Sequence, residues 1–178
     1  MKRLTLILSA LALIFICVPS SAVGQTSISV GPRLGIDFGD IEEAFIGADV
    51  RITSPSLPVV VNPTFDFYFT SDPLTFWGLS ANALYPISTE NESFAPYAGA
   101  GLGIYRFSIE EQTVSNPFGG DITVGGGGST DIGLNLVAGA EFPLETVRPF
   151  AEVQFSPVFT EGSTTTLFNI KGGVLFSF

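Results

Sequence analysis

Residues 130–142, with the sequence TDIGLNLVAGAEF, decide the fold. From residue 132 onward the even-numbered positions carry apolar side chains, among them Ile132, Leu134 and Leu136, whereas most odd-numbered positions carry glycine or polar residues, among them Asn135 and Glu141. An alternation with a period of two is typical of a β-strand that has one apolar and one polar face. The stretch therefore predicts a long strand in a sheet whose two faces meet different surroundings.

The same alternation recurs in seven further stretches. Apolar stripes with the helical period of 3.6 residues are missing, and the 20 glycines and 12 prolines favour turns between strands. Eight strands of about 10–13 residues predict an all-β fold, an antiparallel up-and-down barrel. The other seven predicted strands are residues 27–38, 43–53, 59–70, 75–85, 94–107, 147–156 and 167–178.

The first 24 residues have the pattern of a cleaved signal peptide. A basic start, Lys2-Arg3, precedes an apolar run over residues 4–18, and small residues follow up to Gly24. The run is shorter than the ~20 residues of a membrane-spanning helix, so an uncleaved anchor helix is the less favoured alternative. We expect a signal peptide at residues 1–24 and a barrel domain at residues 25–178.

Composition excludes several classes of function. The chain has no histidine, and its one cysteine, Cys17, lies in the predicted signal peptide, so imidazole catalysis and thiol chemistry are not expected. Beyond residue 24 there are 5 Lys and Arg against 17 Asp and Glu, a formal charge of −12, which is the wrong sign for a nucleic-acid binder. No catalytic residue, cofactor or resident metal is predicted, and we do not expect an enzyme.

The charged residues of the polar face indicate which face is inside. Mean hydropathy is +0.45 although the chain is acidic. Four basic and five acidic residues form a nearly neutral set, which suits a narrow lumen because isolated buried charges are costly. The apolar face would then meet lipid; the alternative is a secreted lipocalin-like barrel with an apolar ligand inside. The predicted lumen charge network is Arg33, Asp37, Asp49, Arg51, Asp66, Glu141, Arg148, Glu152 and Lys171.

Aromatic residues of the apolar face fall at two heights. When the strands are numbered upward and downward in turn, one set lies at each end of the predicted apolar band, as in the aromatic girdles of membrane barrels. The predicted outer girdle is Phe38, Phe69, Trp77, Phe155 and Phe168, and the predicted inner girdle is Tyr85, Phe94, Phe142 and Phe178.

The longest predicted connection, residues 108–129, lies at the outer end and includes the run Gly125-Gly126-Gly127-Gly128, expected to be a flexible loop tip. Outer loops are where extracellular protein partners would bind. Their carboxylates are also candidate ligands for Ca²⁺ or Mg²⁺, although a solvated acidic rim is the default interpretation. These carboxylates are Asp40, Glu42, Glu43, Asp72, Glu110, Glu111, Asp121 and Glu161.

Three further stretches are informative: PYAGAGLGIY at residues 96–105, LVAGAEFPL at residues 136–144 and the terminal FSF at residues 176–178. Through them the chain resembles, over residues 25–178, the eight-stranded outer-membrane β-barrel family of OmpX- and OmpA-type proteins. The resemblance implies an outer-membrane location, contact with outer-membrane lipid, and recognition of Phe176 and Phe178 by the barrel-assembly machinery. The family's lipid-modifying members use a catalytic histidine, which this chain lacks.

Three roles remain open from the sequence. The first is a closed barrel with a structural or surface-interaction role, and the second is a narrow porin-like channel. Eight strands leave an interior that side chains just fill, which favours the first over the second. The third is the secreted ligand-binding barrel.

Overall fold

The computed structural model describes residues 26–91, 93–115, 121–144 and 146–178; the predicted signal peptide lies outside these residues. They form ten strands, eight of which close into one antiparallel barrel in the order β1-β10-β9-β8-β5-β4-β3-β2. The strands are β1 Ser27–Asp37, β2 Ala44–Thr53, β3 Val60–Tyr68, β4 Leu74–Pro86, β5 Ala95–Ile109, β6 Gln112–Ser115, β7 Asp121–Val124, β8 Gly127–Glu141, β9 Val147–Thr160 and β10 Ser163–Ser177.

The prediction of an eight-stranded up-and-down barrel is therefore confirmed. Each barrel strand pairs with its neighbours in sequence, and β1 closes the ring against β10, with Ser29 opposite Ser177 and Asp37 opposite Asn169. The strands are staggered around the barrel. A path that starts at Ile36 and steps from each residue to its partner on the next strand returns to β1 about ten residues away from Ile36. The strands are therefore tilted relative to the barrel axis, as closure of eight strands requires. No helix long and apolar enough to span a membrane occurs among the described residues.

Several strand ends differ from the prediction. β8 begins at Gly127 instead of residue 130, β9 ends at Thr160 instead of residue 156, and β10 begins at Ser163 instead of residue 167. The segments added to β8 and β10 are rich in glycine, serine and threonine, because they extend beyond the apolar part of the wall, and the backbone ladder continues there although the apolar alternation has stopped. The segment added to β9 still alternates, with Val158 buried and Phe159 exposed. The connection between β9 and β10 is consequently a two-residue turn, with Gly162 at φ 81°.

The long connection between β5 and β8 is also more ordered than predicted. β6 and β7 pair as a two-stranded extension at the end of the barrel that we call the outer end; the opposite end is the inner end. The glycine run is not the tip of this loop. Gly125 and Gly126 adopt positive φ where the chain returns from β7, and Gly127 and Gly128 already belong to β8.

The wall of the barrel is apolar outside and mostly polar inside. Along β8 the side chains of Ile132, Leu134 and Leu136 are exposed, whereas Asp131 and Asn135 are buried. A soluble ligand-binding barrel would have the reverse arrangement, so the structure argues against the lipocalin-like alternative. An exterior of this kind is the surface that a barrel presents to lipid.

Pro32 lies in the middle of β1 with its ring on the exterior. The β1–β10 ladder lacks pairs at Gly31 and Pro32, because proline has no N–H to donate, but its register is the same before and after this gap. β1 also begins at Ser27, ahead of the proline. β1 therefore accommodates Pro32 without a shift in register.

Candidate functional site in the barrel interior

The interior is organised in three levels along the barrel axis. A cluster of apolar and aromatic side chains, which we call the aromatic cap, occupies the outer level, and a smaller apolar cluster lies near the inner end. Charged and amide side chains lie between them. The aromatic cap consists of Phe45, Tyr68, Phe76, Tyr105, Val158 and Leu167, and the inner cluster consists of Leu84, Tyr97 and Val137.

The aromatic rings of the cap pack against one another. The ring centroid of Tyr68 lies 4.9 Å from that of Phe45 and 4.5 Å from that of Phe76. Phe107, which is partly buried, stacks on Phe76 at 4.3 Å. Ring pairs at these separations add to the free energy of burial, so the cap is a cohesive layer.

Glycines of the wall provide room for these rings. The ring of Tyr105 lies over glycines of three neighbouring strands: an added Cβ would lie 2.9 Å from the ring at Gly78, 2.5 Å at Gly103 and 2.9 Å at Gly133. Any larger residue at these positions would collide with the ring. Gly78, Gly103 and Gly133 thus form the space that the inward-facing ring of Tyr105 occupies.

At the centre, Arg33 joins two strands. Its guanidinium donates to both carboxylate oxygens of Asp66 on β3, with 2.7 Å between Nε and Oδ1, and to Oδ2 of Asp49 on β2 at 3.3 Å. All three residues are buried. A two-pronged arginine–carboxylate pair of this kind has a fixed geometry as well as opposite charges.

Arg51 makes the second cluster of contacts. Its Nε donates to Asp49 at 3.2 Å, its Nη1 to Glu141 at 2.5 Å and its Nη2 to the hydroxyl of Tyr97 at 2.9 Å. The guanidinium carbon also lies 4.6 Å from the ring centroids of both Tyr97 and Phe150. Arg51 therefore links the charged level to the inner aromatic side chains through hydrogen bonds and cation–π contacts.

Lys171 is buried beside Glu152, with 2.8 Å between Nζ and Oε1. It also donates to the amide oxygen of Gln154. Glu152 in turn lies 3.7 Å from Arg51 and accepts a hydrogen bond of 2.8 Å from the hydroxyl of Tyr97. Each buried charge at this level thus has an opposite charge beside it, which offsets the cost of removing it from water.

Amide side chains complete a circuit around the lumen, which we call the polar ring. Asn62 donates to Asp49 at 2.9 Å, Asn82 to Asn62 at 3.3 Å, and Asn135 to Asn82 at 2.9 Å. Ser156 then donates to Asn135, and Gln154 to Ser156, both at 2.8 Å. The polar ring is Asp49, Arg51, Asn62, Asn82, Asn135, Glu152, Gln154, Ser156 and Lys171, with Arg33 and Asp66 attached through Asp49.

The polar ring crosses β5 without a side chain from that strand. Asn82 on β4 and Asn135 on β8 both pair with Gly101, which lies between them in the same row. A Cβ at Gly101 would lie 2.3 Å from Oδ1 of Asn82. Because Gly101 has no side chain, Asn135 can donate its hydrogen bond to Asn82 across β5.

The nine predicted lumen charges all belong to the inward face, and eight of them are connected through ion pairs. Glu141 pairs with Arg51 and, at the inner end, with Arg148, 3.3 Å away; Glu141 and Arg148 are less buried than the central residues. Asp37 differs from the prediction: its Oδ2 accepts the backbone N–H groups of Gly39, Ile41 and Glu42, each at 3.1 Å, and its Oδ1 accepts that of Phe168. Asp37 therefore holds the β1–β2 connection, because free N–H groups at a strand end need an acceptor.

The outer carboxylates do not gather into a metal site in the described residues. No group of three or more acidic or other metal-ligating side chains occurs there. Asp40 instead accepts the backbone N–H of Thr166 at 2.7 Å and so ties the β1–β2 connection to β10. The side chain of Asp121 lies outside the described residues.

Sequence reasoning missed the inward apolar residues and the amide part of the polar ring. Phe45, Tyr68 and Phe76 occupy the positions between the exposed residues of their strands, so the predicted alternation already placed them inside. They were overlooked because charges and glycines dominate the polar face in the sequence. Nothing in a single strand reveals that Asn62, Asn82 and Asn135 form one row, because that depends on the register between strands.

These features define a membrane-type barrel with an apolar exterior and a side-chain-filled interior, the class to which eight-stranded outer-membrane barrels belong. In solved structures the same fold occurs in the N-terminal barrel domain of Pseudomonas aeruginosa OprF, at 19% identity and a TM-score of 0.60, covering 86% of this chain and 100% of that one. Neisserial surface protein A matches at 15% identity and a TM-score of 0.59, covering 86% of this chain and 97% of that one. A major outer membrane protein from Thermus thermophilus matches at 15% identity and a TM-score of 0.55, covering 86% of this chain and 100% of that one.

No protein-family model and no curated protein sequence matches the chain. At the identities found, the structural similarity establishes the fold. All three proteins are outer-membrane barrels, and this agrees with the apolar exterior in supporting an outer-membrane location.

Proposed function

We propose that this protein is an integral outer-membrane barrel with a closed lumen and no catalytic activity, and that it acts through the loops of its outer end. The barrel would be the anchor in lipid, and the β6–β7 extension with the neighbouring connections would be the part that meets molecules outside the cell. The narrow channel is the competing role.

The observation that carries the closed lumen is the polar ring. It joins side chains of six of the eight barrel strands across the interior, and Arg33 of a seventh strand is attached to it through Asp49. Arg51 in the ring and Arg33 beside it are almost completely buried, at 2% and 1% exposure. The aromatic cap lies above this ring and adds an apolar layer that disfavours ions. Permeation would require both layers to rearrange. Breaking a buried ion pair costs about 3–5 kcal/mol, so such openings would be rare.

A conductance measurement tests the closed lumen. Purified protein reconstituted into a planar bilayer should give no stepwise current under conditions in which a general porin, prepared in the same way, conducts. Insertion must be shown independently, by a difference in gel migration between unboiled and boiled samples of the same reconstituted protein. Regular current steps from inserted protein would favour the channel.

The role of the outer end calls for a genetic comparison. A variant in which residues 110–126 are replaced by a two-residue turn should still form the barrel, because the β5–β8 ladder below them runs without interruption from the pair Ile109–Gly127 to the pair Ala95–Glu141. We expect this variant to reach the membrane at normal levels but to reproduce the phenotype of a strain that lacks the protein. If the shortened variant instead restores the wild-type phenotype to that strain, the barrel wall alone is sufficient for the function.

A further inference from the structure

Arg106 is the one basic residue of the barrel that does not face the lumen. Residues 26–178 contain five Lys and Arg, and four of them, Arg33, Arg51, Arg148 and Lys171, point inward. Arg106 is exposed on the outside of β5. Among the described side chains no carboxylate lies within 4.0 Å of it, although the outer end is rich in acidic residues.

The height of Arg106 on the barrel is that of the membrane interface. On the exterior of β5 the apolar residues end at Ile104, and Arg106 is the next outward residue. On β8 the apolar exterior ends at Ile132, and Thr130, the partner of Arg106, is the next. Trp77 is the partner of Arg106 on β4, and tryptophan is enriched where headgroups begin.

The guanidinium is held in place from one side. Its Nη1 donates to the hydroxyl of Thr130 at 2.8 Å, which directs the group along the barrel wall toward β8. A guanidinium carries five N–H donors in a planar fork that matches two phosphate oxygens, so most of its donors are available to an external anion. The aliphatic part of the side chain can lie on the apolar wall while the charge reaches the interface.

We propose that Arg106, with Thr130 and Trp77 beside it, binds the phosphate of an anionic lipid headgroup in the outer leaflet. The surroundings favour a phosphate attached to a lipid over a soluble one. The exposed acidic residues of the outer end, including Asp40, Asp72 and Glu110, repel free anions. A lipid phosphate is instead delivered to this height by its own acyl chains, directly beside the apolar wall.

This inference rests on the proposed location in a membrane, and Trp77 allows the two to be tested separately. Trp77 is the only tryptophan in the chain, so its fluorescence reports on the immediate neighbourhood of Arg106. The protein is reconstituted into vesicles that contain either brominated phosphatidylcholine or brominated phosphatidic acid, at equal ionic strength. Bromine quenches the indole only when the lipid that carries it is adjacent.

Both lipids should quench Trp77, and phosphatidic acid should do so at a mole fraction about fivefold lower, as expected for one cationic side chain at a membrane surface. Arg106→Gln should remove this difference without changing the quenching by phosphatidylcholine. Arg106→Lys should retain part of the preference, because the charge remains but the planar fork is lost. The gel-migration shift of unboiled protein verifies that each variant is folded.

The outcomes separate the possibilities. If phosphatidylcholine does not quench folded wild-type protein, Trp77 does not face lipid, and the proposed membrane location fails together with this inference. Quenching by both lipids with equal efficiency would overturn the role of Arg106 alone. A preference that persists in Arg106→Gln would do the same. Loss of the preference on addition of millimolar inorganic phosphate, at constant ionic strength, would assign the site to a soluble anion and overturn the lipid proposal.

Discussion

Gly101 illustrates how much a single missing side chain determines in this barrel. It lies in β5 between Asn82 and Asn135, and the hydrogen bond between these two asparagines passes over it. An alanine Cβ would lie 2.3 Å from both the backbone oxygen of Ala81 and the side-chain oxygen of Asn82. Since the backbone cannot move aside without breaking the ladder, the substitution would disrupt the polar ring.

We therefore expect Gly101→Ala to lower the free energy of unfolding by about 1–3 kcal/mol, the usual cost of overpacking. Urea unfolding of protein refolded into vesicles would measure it. Gly127→Ala is the matched control, because no atom lies within 4 Å of an added Cβ there. A loss of stability in the control as large as that in Gly101→Ala would show that the effect comes from strand glycines in general.

Lys171 provides a second test at the residue scale, directed at charge. Lys171→Met would leave the Glu152 carboxylate buried without its nearest cation, 2.8 Å away. We expect a loss of about 3–5 kcal/mol in the free energy of unfolding, typical of a buried ion pair that has lost one partner. The double variant Lys171→Met/Glu152→Gln should be more stable than the single variant, because it also removes the carboxylate that the single variant leaves buried without its nearest cation. If the double variant is less stable, the pair is not the main electrostatic contact of Glu152.

At the scale of the strand, β10 shows the division between lipid-facing and solvent-facing segments. Ile170 and Phe168 are exposed on its apolar exterior, and Thr164 lies on the same face beyond them. Ile170→Arg should destabilise the inserted barrel by about 2–4 kcal/mol, whereas Thr164→Arg should cost about 0–1 kcal/mol, because the penalty falls toward the interface. Refolding equilibria of both variants in vesicles would measure the difference. Equal costs would mean that this exterior does not meet lipid.

The inner end of β10 carries the predicted assembly signal, Phe176 and Phe178. Phe178 is 87% exposed, and its backbone N–H donates to Ile28 of β1 at 2.9 Å. The ring adds little to packing, so Phe178→Ser should leave refolding in vitro nearly unchanged but reduce the amount of inserted protein in cells. Phe142→Ser is the control, since this exposed ring lies in the predicted inner girdle at another strand end. Pulse-chase insertion assays that give equal yields for both variants would remove the special role of Phe178.

The strands were predictable from the sequence because lipid imposes a strict rule. Every outward residue between the girdles is apolar or small, so the period of two is visible without any knowledge of pairing. The outer end of β9 keeps the alternation beyond Pro157, with Val158 buried in the aromatic cap and Phe159 exposed. The outer ends of β8 and β10 were missed because both of their faces meet water and the alternation disappears. Pairing continues there for a different reason: the backbone ladder, and not apolar burial, holds these segments together.

The interior was less predictable than the wall. The alternation within each strand predicted that the charged residues face inward. The partners of Arg33 and Arg51, however, depend on the register between different strands, which no single strand reveals. Asp37 shows the limit clearly. Its position marks it as an inward charge, yet it is the local geometry of the β1–β2 connection that turns its carboxylate toward backbone N–H groups.

At the scale of the whole molecule, orientation can be tested with cysteines. Cys17 is the only cysteine, and it lies in the predicted signal peptide, so a single introduced thiol would be the only one in the mature barrel. A membrane-impermeant thiol reagent applied to intact cells should label Gly127→Cys, which is exposed at the outer end, and not Ser56→Cys, which is exposed at the inner end. Both should be labelled after the cells are broken. The reverse pattern in intact cells would invert the topology.

The closure of the ring has a consequence for how freely the chain can be rewired. Ile28 and Phe178 are neighbours joined by a backbone hydrogen bond, and they lie at the same end as the turn of residues 54–59. A short linker could therefore connect residue 178 to residue 27, and new termini could be opened in that turn without removing any strand pair. Such a circular permutant would contain the same eight strand pairings in a different order along the chain, because a closed ring of strands has no edge that fixes which strand comes first.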